Sequence, residues 1–124
     1  MYVDGFLVPV KRDRVDDYLV MAREMAQLWL RHGALSVVEA MGDDVPEGEV
    51  TSFPMAVKLE PGEVVFFSWI TYTDRADRDR INALVHAEAG EVFDKMMAND
   101  PPMNGKRMIW GGFTPVVHET QTPG

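Results

Sequence analysis

The chain has 124 residues, of which 46% are hydrophobic and 26% charged, a length and balance that suit one domain with a sizeable core and argue against disorder. A formal net charge of −8 disfavours nucleic acid and anionic membrane surfaces as partners, because both are held through clustered Lys and Arg. Cysteine is absent, which excludes disulfides, thiolate zinc sites and thiol nucleophiles and agrees with a reducing compartment.

The N-terminus carries no basic leader, and no segment approaches about 18 consecutive apolar residues, so a cytoplasmic protein is expected. Tyr2 to Val10 alternates as a strand, with Tyr2, Phe6, Val8 and Val10 on one face and Pro9 at its end or where no ladder donor is needed. A helix follows. Asp13 suits its N-cap, Asp16 and Asp17 its first turn, and Gly33 the C′ position. Its apolar stripe runs through Val15, Tyr18, Leu19, Ala22, Met25 and Trp29, while Val20, Met21, Leu28 and Leu30 fall outside it and are candidates for contact with a partner.

Ala34 to Met41 reads as a second strand and Gly42 to Thr51 as a solvated loop. Residues 53–59 suit a short helix capped by Thr51 or Ser52, with an extended segment as the alternative. Val64 to Tyr72, VVFFSWITY, is the most apolar strand. Both of its alternating sets are large, so both faces of the sheet need cover. Asp74 caps a second long helix with Ile81, Leu84, Val85, Val92, Phe93 and Met96 as its buried face. Gly90 is expected to bend or split that helix, which should stop before Asn99-Asp100-Pro101-Pro102. Lys106 to Val117 makes a fourth strand, in which Gly111-Gly112 permits a bulge or a close backbone approach.

The order βαββαβ predicts an α+β, ferredoxin-like antiparallel sheet with strand order 4-1-3-2 and two helices on one face. Residues 1–118 are expected to be a single domain and 119–124 a flexible tail. Two helices shelter one face only. A homodimer through the sheet face, forming a dimeric α/β barrel, is the expected cover for the other.

VDGF at 3–6, GAL at 33–35, VVEAMGDDVPEGEVTSFPMAVKLEPGE at 37–63, VVFFSWI at 64–70 and GKRMIWGGF at 105–113 together resemble the YbaA-like family of uncharacterised bacterial proteins. The resemblance implies a ferredoxin-like subunit of the dimeric α/β-barrel superfamily, in which the sheets of two subunits enclose a cavity. Proteins of that superfamily include cofactor-free monooxygenases, haem-handling proteins and small stress-related modules. No catalytic residue is carried over.

The topology sorts the polar groups into two ends. Asp4, His32 and Tyr72 gather at one, a carboxylate, imidazole and phenol set able to transfer protons; local capping and hydroxyl pairing explain the same residues structurally and are favoured. At the other end Arg107 could hold a carboxylate substrate with Glu39 as base, against the favoured account of an ion pair. Ser68 and Trp69 point to opposite faces, and whichever faces the barrel could line a ligand pocket. His32, His86 and His118 lack metal-ligand spacing, so no metal or other cofactor is expected. Two functions follow: a small-molecule-binding or stress-related module, or a cofactor-independent enzyme of oxygenase or isomerase type using the barrel cavity.

Overall fold

A computed structural model of the chain describes residues 1–122. Its elements are β1 (Tyr2–Lys11), α1 (Val15–Arg31), β2 (Ser36–Met41), α2 (Phe53–Ala56), β3 (Glu63–Tyr72), α3 (Arg75–Ala98) and β4 (Ile109–Phe113). The strands form one sheet in the order β2-β3-β1-β4, all neighbours antiparallel, which is the order expected from the sequence read from its other edge. The expected tail has no regular structure through residue 122, and residues 123 and 124 lie outside the described part.

Strand alternation decides the two faces. Val64, Phe66, Ser68, Ile70 and Tyr72 of β3 turn toward the helices and are buried, together with Tyr2, Asp4, Val8 and Val10 of β1. One cluster joins Leu28 of α1 and Ile81 and Val85 of α3 to Tyr72 and Ile70, and a second joins Tyr18 and Met21 of α1 to Phe66 and Val8. The opposite set of β3 is Glu63, Val65, Phe67, Trp69 and Thr71. Around its lower half the segment after β2 folds back, with Gly42 donating its N–H to the Val65 carbonyl at 2.8 Å and Phe53 meeting the Phe67 ring edge-on at 6.0 Å.

Local chemistry explains the boundaries. Pro9 is fully buried inside β1, yet the β1–β4 ladder ends at Leu7 paired with Ile109, so the edge Pro9 turns toward β4 needs no ladder donor; its carbonyl accepts from Asn104 at 3.1 Å. Gly33 follows α1 with φ +117°, as a C′ glycine should. The Asp74 carboxylate accepts from the Asp77 N–H at 2.7 Å and starts α3. Ser52 caps α2 through the Met55 N–H, but the helix is one turn, ending at Ala56 rather than running to residue 59.

Five expectations are corrected. A 3-10 turn over Arg12–Arg14 precedes α1, so Asp13 is not its N-cap and no side chain caps it. Met21 and Leu28 are buried in the core rather than left for a partner, while Val20 and Leu30 are exposed. α3 runs unbroken through Gly90; a Cβ there would come within 3.0 Å of the His86 ring one turn earlier, so the glycine gives that imidazole room instead of ending the helix. Leu84 and Val92 are exposed, and β4 is confined to Ile109–Phe113 with a regular register, so of the two roles expected of Gly111-Gly112 there is no bulge, and Gly112 provides the close backbone approach.

Candidate functional site

Between the long helices and the sheet lie two adjoining apolar cavities, of about 160 and about 260 Å³, each partly open to solvent, which share Phe6, Met25, Trp29, Phe93 and Met108 as walls. Ridges of α1 and α3 form the roof, and the alternating residues of β1, β2 and β3 form the floor. The smaller cavity reaches Glu39 and Ser68, and the larger reaches Asp4, Asn82 and His86. An apolar cavity near 150 Å³ is large enough to admit one benzene ring.

Glu39 and Ser68 are cross-strand partners in the β2–β3 ladder, both facing the helices. Tyr18 descends from α1 and donates its hydroxyl to the two Glu39 oxygens at 2.9 and 3.0 Å, and the Ser68 hydroxyl donates to Oε2. Burial pushes the Glu39 carboxyl above its ordinary range, against the two hydroxyl donors that favour its ionised form. Burial and the adjacent carboxylate push the Tyr18 phenol upward as well. The cluster is thus a carboxyl group whose proton affinity is raised by burial, positioned by two neutral donors at the wall of an apolar space.

At the far end of the sheet Asp4 is buried and heavily partnered. Arg78 of α3 grips it through Nε at 3.1 Å and Nη2 at 2.9 Å, Tyr72 donates its hydroxyl at 2.9 Å, and the Trp29 indole N–H reaches Asn82 beside it at 3.0 Å. Burial, then the hydrogen bond to Asp4, raises the Tyr72 phenol. Arg78 also lies over the Tyr2 ring, 5.3 Å from its centroid. Gly112 of β4 makes this packing possible, since a Cβ there would fall on the Tyr2 hydroxyl and lie 2.7 Å from Arg78 Nη2. Asp4 and Tyr72 therefore meet as the sequence suggested, but in a network that also anchors α3 to the sheet.

Two of the remaining candidates, His32 and Arg107, are placed elsewhere. His32 does not join Asp4 and Tyr72; its Nε2 lies 2.9 Å from Glu88 of α3, whose carboxyl is drawn below its usual range by His32 and Arg31. Arg107 does not face Glu39. Its guanidinium makes a bidentate pair with Glu63 at 2.8 and 2.6 Å and donates to the Val57 and Lys58 carbonyls, while Glu63 is drawn below the ordinary carboxylate range chiefly by that pairing. Trp69 packs on Phe67, ring centroids 5.3 Å apart, and also contributes to the wall of the smaller cavity. Among the described residues no group of three or more His, Asp or Glu side chains is arranged to hold a metal ion, and no helix is long and apolar enough to cross a membrane.

Tyr18, Arg78, Asn82 and Glu63 were not singled out from the sequence as site residues. Tyr18 carried a signal, the one phenol in the apolar stripe of α1, which is easily read as core. Arg78 and Asn82 sit four apart on a charge-rich helix and carry no comparable mark.

Fold and site together define an α+β protein, a four-stranded antiparallel sheet with its two long helices on one side and two adjoining apolar cavities between them, the smaller reaching the Glu39 cluster and the larger Asp4. The chain belongs to a family described as "Protein of unknown function (DUF1428)", whose profile matches residues 1–110. It is similar to the uncharacterized protein YbaA of Escherichia coli strain K12 and to the YbaA of Shigella flexneri, 44% identical to each over 118 residues that cover 95% of this chain and 98% of theirs.

Proposed function

We propose that this protein is a small-molecule-binding module of the ferredoxin-like, dimeric α/β-barrel kind, with residues 1–118 acting as one domain in the cytoplasm and the ligand held between helices and sheet. The observation that carries this reading is the pair of adjoining apolar cavities with Glu39, Tyr18 and Ser68 converging on one wall. A mostly apolar space with few oriented polar groups is the usual form of a small-ligand site. A fluorescence titration tests it, using Trp29 in the shared wall as reporter and 2-phenylethanol as probe. Saturable quenching is expected in the parent chain, and its loss in Ala22→Phe, which fills the smaller cavity, at an unchanged unfolding midpoint. An unsaturable response in the folded parent chain, to this probe and to probes of the same shape that carry an ammonium or a carboxylate, would overturn the reading.

The raised proton affinity of Glu39 favours one alternative, a cofactor-independent enzyme in which this carboxyl moves a proton at a bound substrate. Turnover that falls in Glu39→Gln by about two or more orders of magnitude, with binding retained, would select that reading.

A further inference from the structure

Three carboxylates are built into this sheet, and two of them have arginines. Asp4 is held by Arg78 and Glu63 by Arg107, each through more than one hydrogen bond. Glu39 differs. Its partners are two neutral hydroxyls, and among the described residues no Lys, Arg or His forms an ion pair with it. Moving a carboxylate out of water is costly unless a cation accompanies it, and a carboxylate so placed has a vacancy for positive charge. The described walls of both cavities contain no Lys or Arg, and their one basic side chain, His86, lines only the larger cavity while Glu39 lines the smaller, so the Glu39 end offers nothing to balance an anionic ligand.

The remaining walls suit the same partner. Phe6, Trp29, Phe93 and Trp110 present aromatic rings to the larger cavity, and ring faces attract cations as well as apolar groups. The net charge of −8 raises the concentration of small cations near the surface. We infer that the ligand of this site is a protonated amine carried on an aromatic or short apolar body, with Glu39 receiving the ammonium and Tyr18 and Ser68 holding the carboxylate in place. This rests on the binding reading above and names the ligand class for it.

Three probes of similar shape separate the possibilities by titration of Trp29 fluorescence near neutral pH: 2-phenylethylamine, 2-phenylethanol and 3-phenylpropanoate. The amine is expected to bind at least about tenfold more tightly than the alcohol, and phenylpropanoate to show no saturation. Glu39→Gln should bring amine and alcohol to within about threefold of each other, while leaving most of the negative surface charge that attracts any cation. Glu39→Met removes the charge while filling the same space and should likewise abolish the amine preference, which supplies a second variant if the glutamine chain is poorly folded. An alcohol bound as tightly as the amine, or an amine preference that survives Glu39→Gln, overturns the ligand class and leaves the binding module standing. Failure of all three probes to saturate removes both.

Discussion

Glu63 and Glu39 lie on neighbouring strands and answer burial in opposite ways. Arg107 holds the Glu63 carboxyl ionised, so its folded pKa lies below the ordinary 4.5. The stabilisation it provides is present above the unfolded pKa and is lost as pH falls through the folded value. Glu63→Gln leaves Arg107 with an incomplete partner and is expected to cost about 1–3 kcal/mol near neutrality. The gap between parent and variant should close on acidification below about pH 4.5, read from urea unfolding at a series of pH values. Glu39 has the reverse sign. Its folded pKa is raised, so its contribution is fully present below the unfolded pKa and fades as pH rises through the folded value. Glu39→Gln is therefore expected to gain stability relative to the parent as pH rises from 4 to 8, and a gap that instead widened toward acid would contradict the burial account. The meeting of Asp4 with Tyr72 was legible because adjacent antiparallel strands bring their opposite ends together, here pairing Tyr2 with Tyr72. The pairing of His32 with Glu88 was not, because it depends on how α1 and α3 lie against each other, which strand and helix periods leave undetermined.

Among the elements, β4 is the short edge strand whose glycine lets a helix lock onto the sheet. Gly112→Ala would push the Tyr2 hydroxyl and Arg78 away from the backbone and disturb the grip on Asp4, at an expected cost of about 1–3 kcal/mol. Gly111→Ala is the control, since a Cβ there meets only the Phe113 ring at 3.6 Å, an ordinary contact. Thermal unfolding should rank Gly112→Ala well below Gly111→Ala. The cap of α3 gives a second measure: Asp74→Ala should cost about 1 kcal/mol by loss of the bond to the Asp77 N–H, recovered in Asp74→Ser. The strands were legible because period-two alternation and turn residues are local signals; three of the four were found with ends within two residues of the observed ones. β4 was overextended, since Thr114 to Val117 keeps a strand-like composition but has no neighbour to pair with beyond Phe113. Gly90 misled for a related reason, as its helix penalty is local whereas the space it gives His86 is not.

At the scale of the whole molecule, the helices cover one face and leave the other with Phe67 47%, Ile109 44% and Phe113 62% exposed, and Leu7 and Trp69 half-buried between them. The apolarity of VVFFSWITY announced two such faces, and alternation now assigns them: Phe66, Ile70 and Tyr72 to the helices, Phe67 and Trp69 to the open side. An exposed patch of this kind is the reason for proposing a second copy as its cover, because two apolar faces packed together would take each other out of water, and a stable pair needs well over about 1,000 Å² of contact. The proposed dimer is open to a direct test. Light scattering at micromolar concentration should give twice the mass of one chain. Phe67→Asp places a carboxylate on the open face, where within a single chain the position is 47% exposed and a shorter side chain can reach water beside the Phe53 and Trp69 rings. Each subunit should therefore keep its far-ultraviolet circular dichroism while the measured mass falls to that of one chain. The probe-binding cavity lies on the opposite side of the sheet, so titration of Trp29 with the same probes reports whether the separated subunit still holds its ligand. A parent chain that runs as a folded monomer at micromolar concentration would exclude the dimer and leave the open face without its proposed cover.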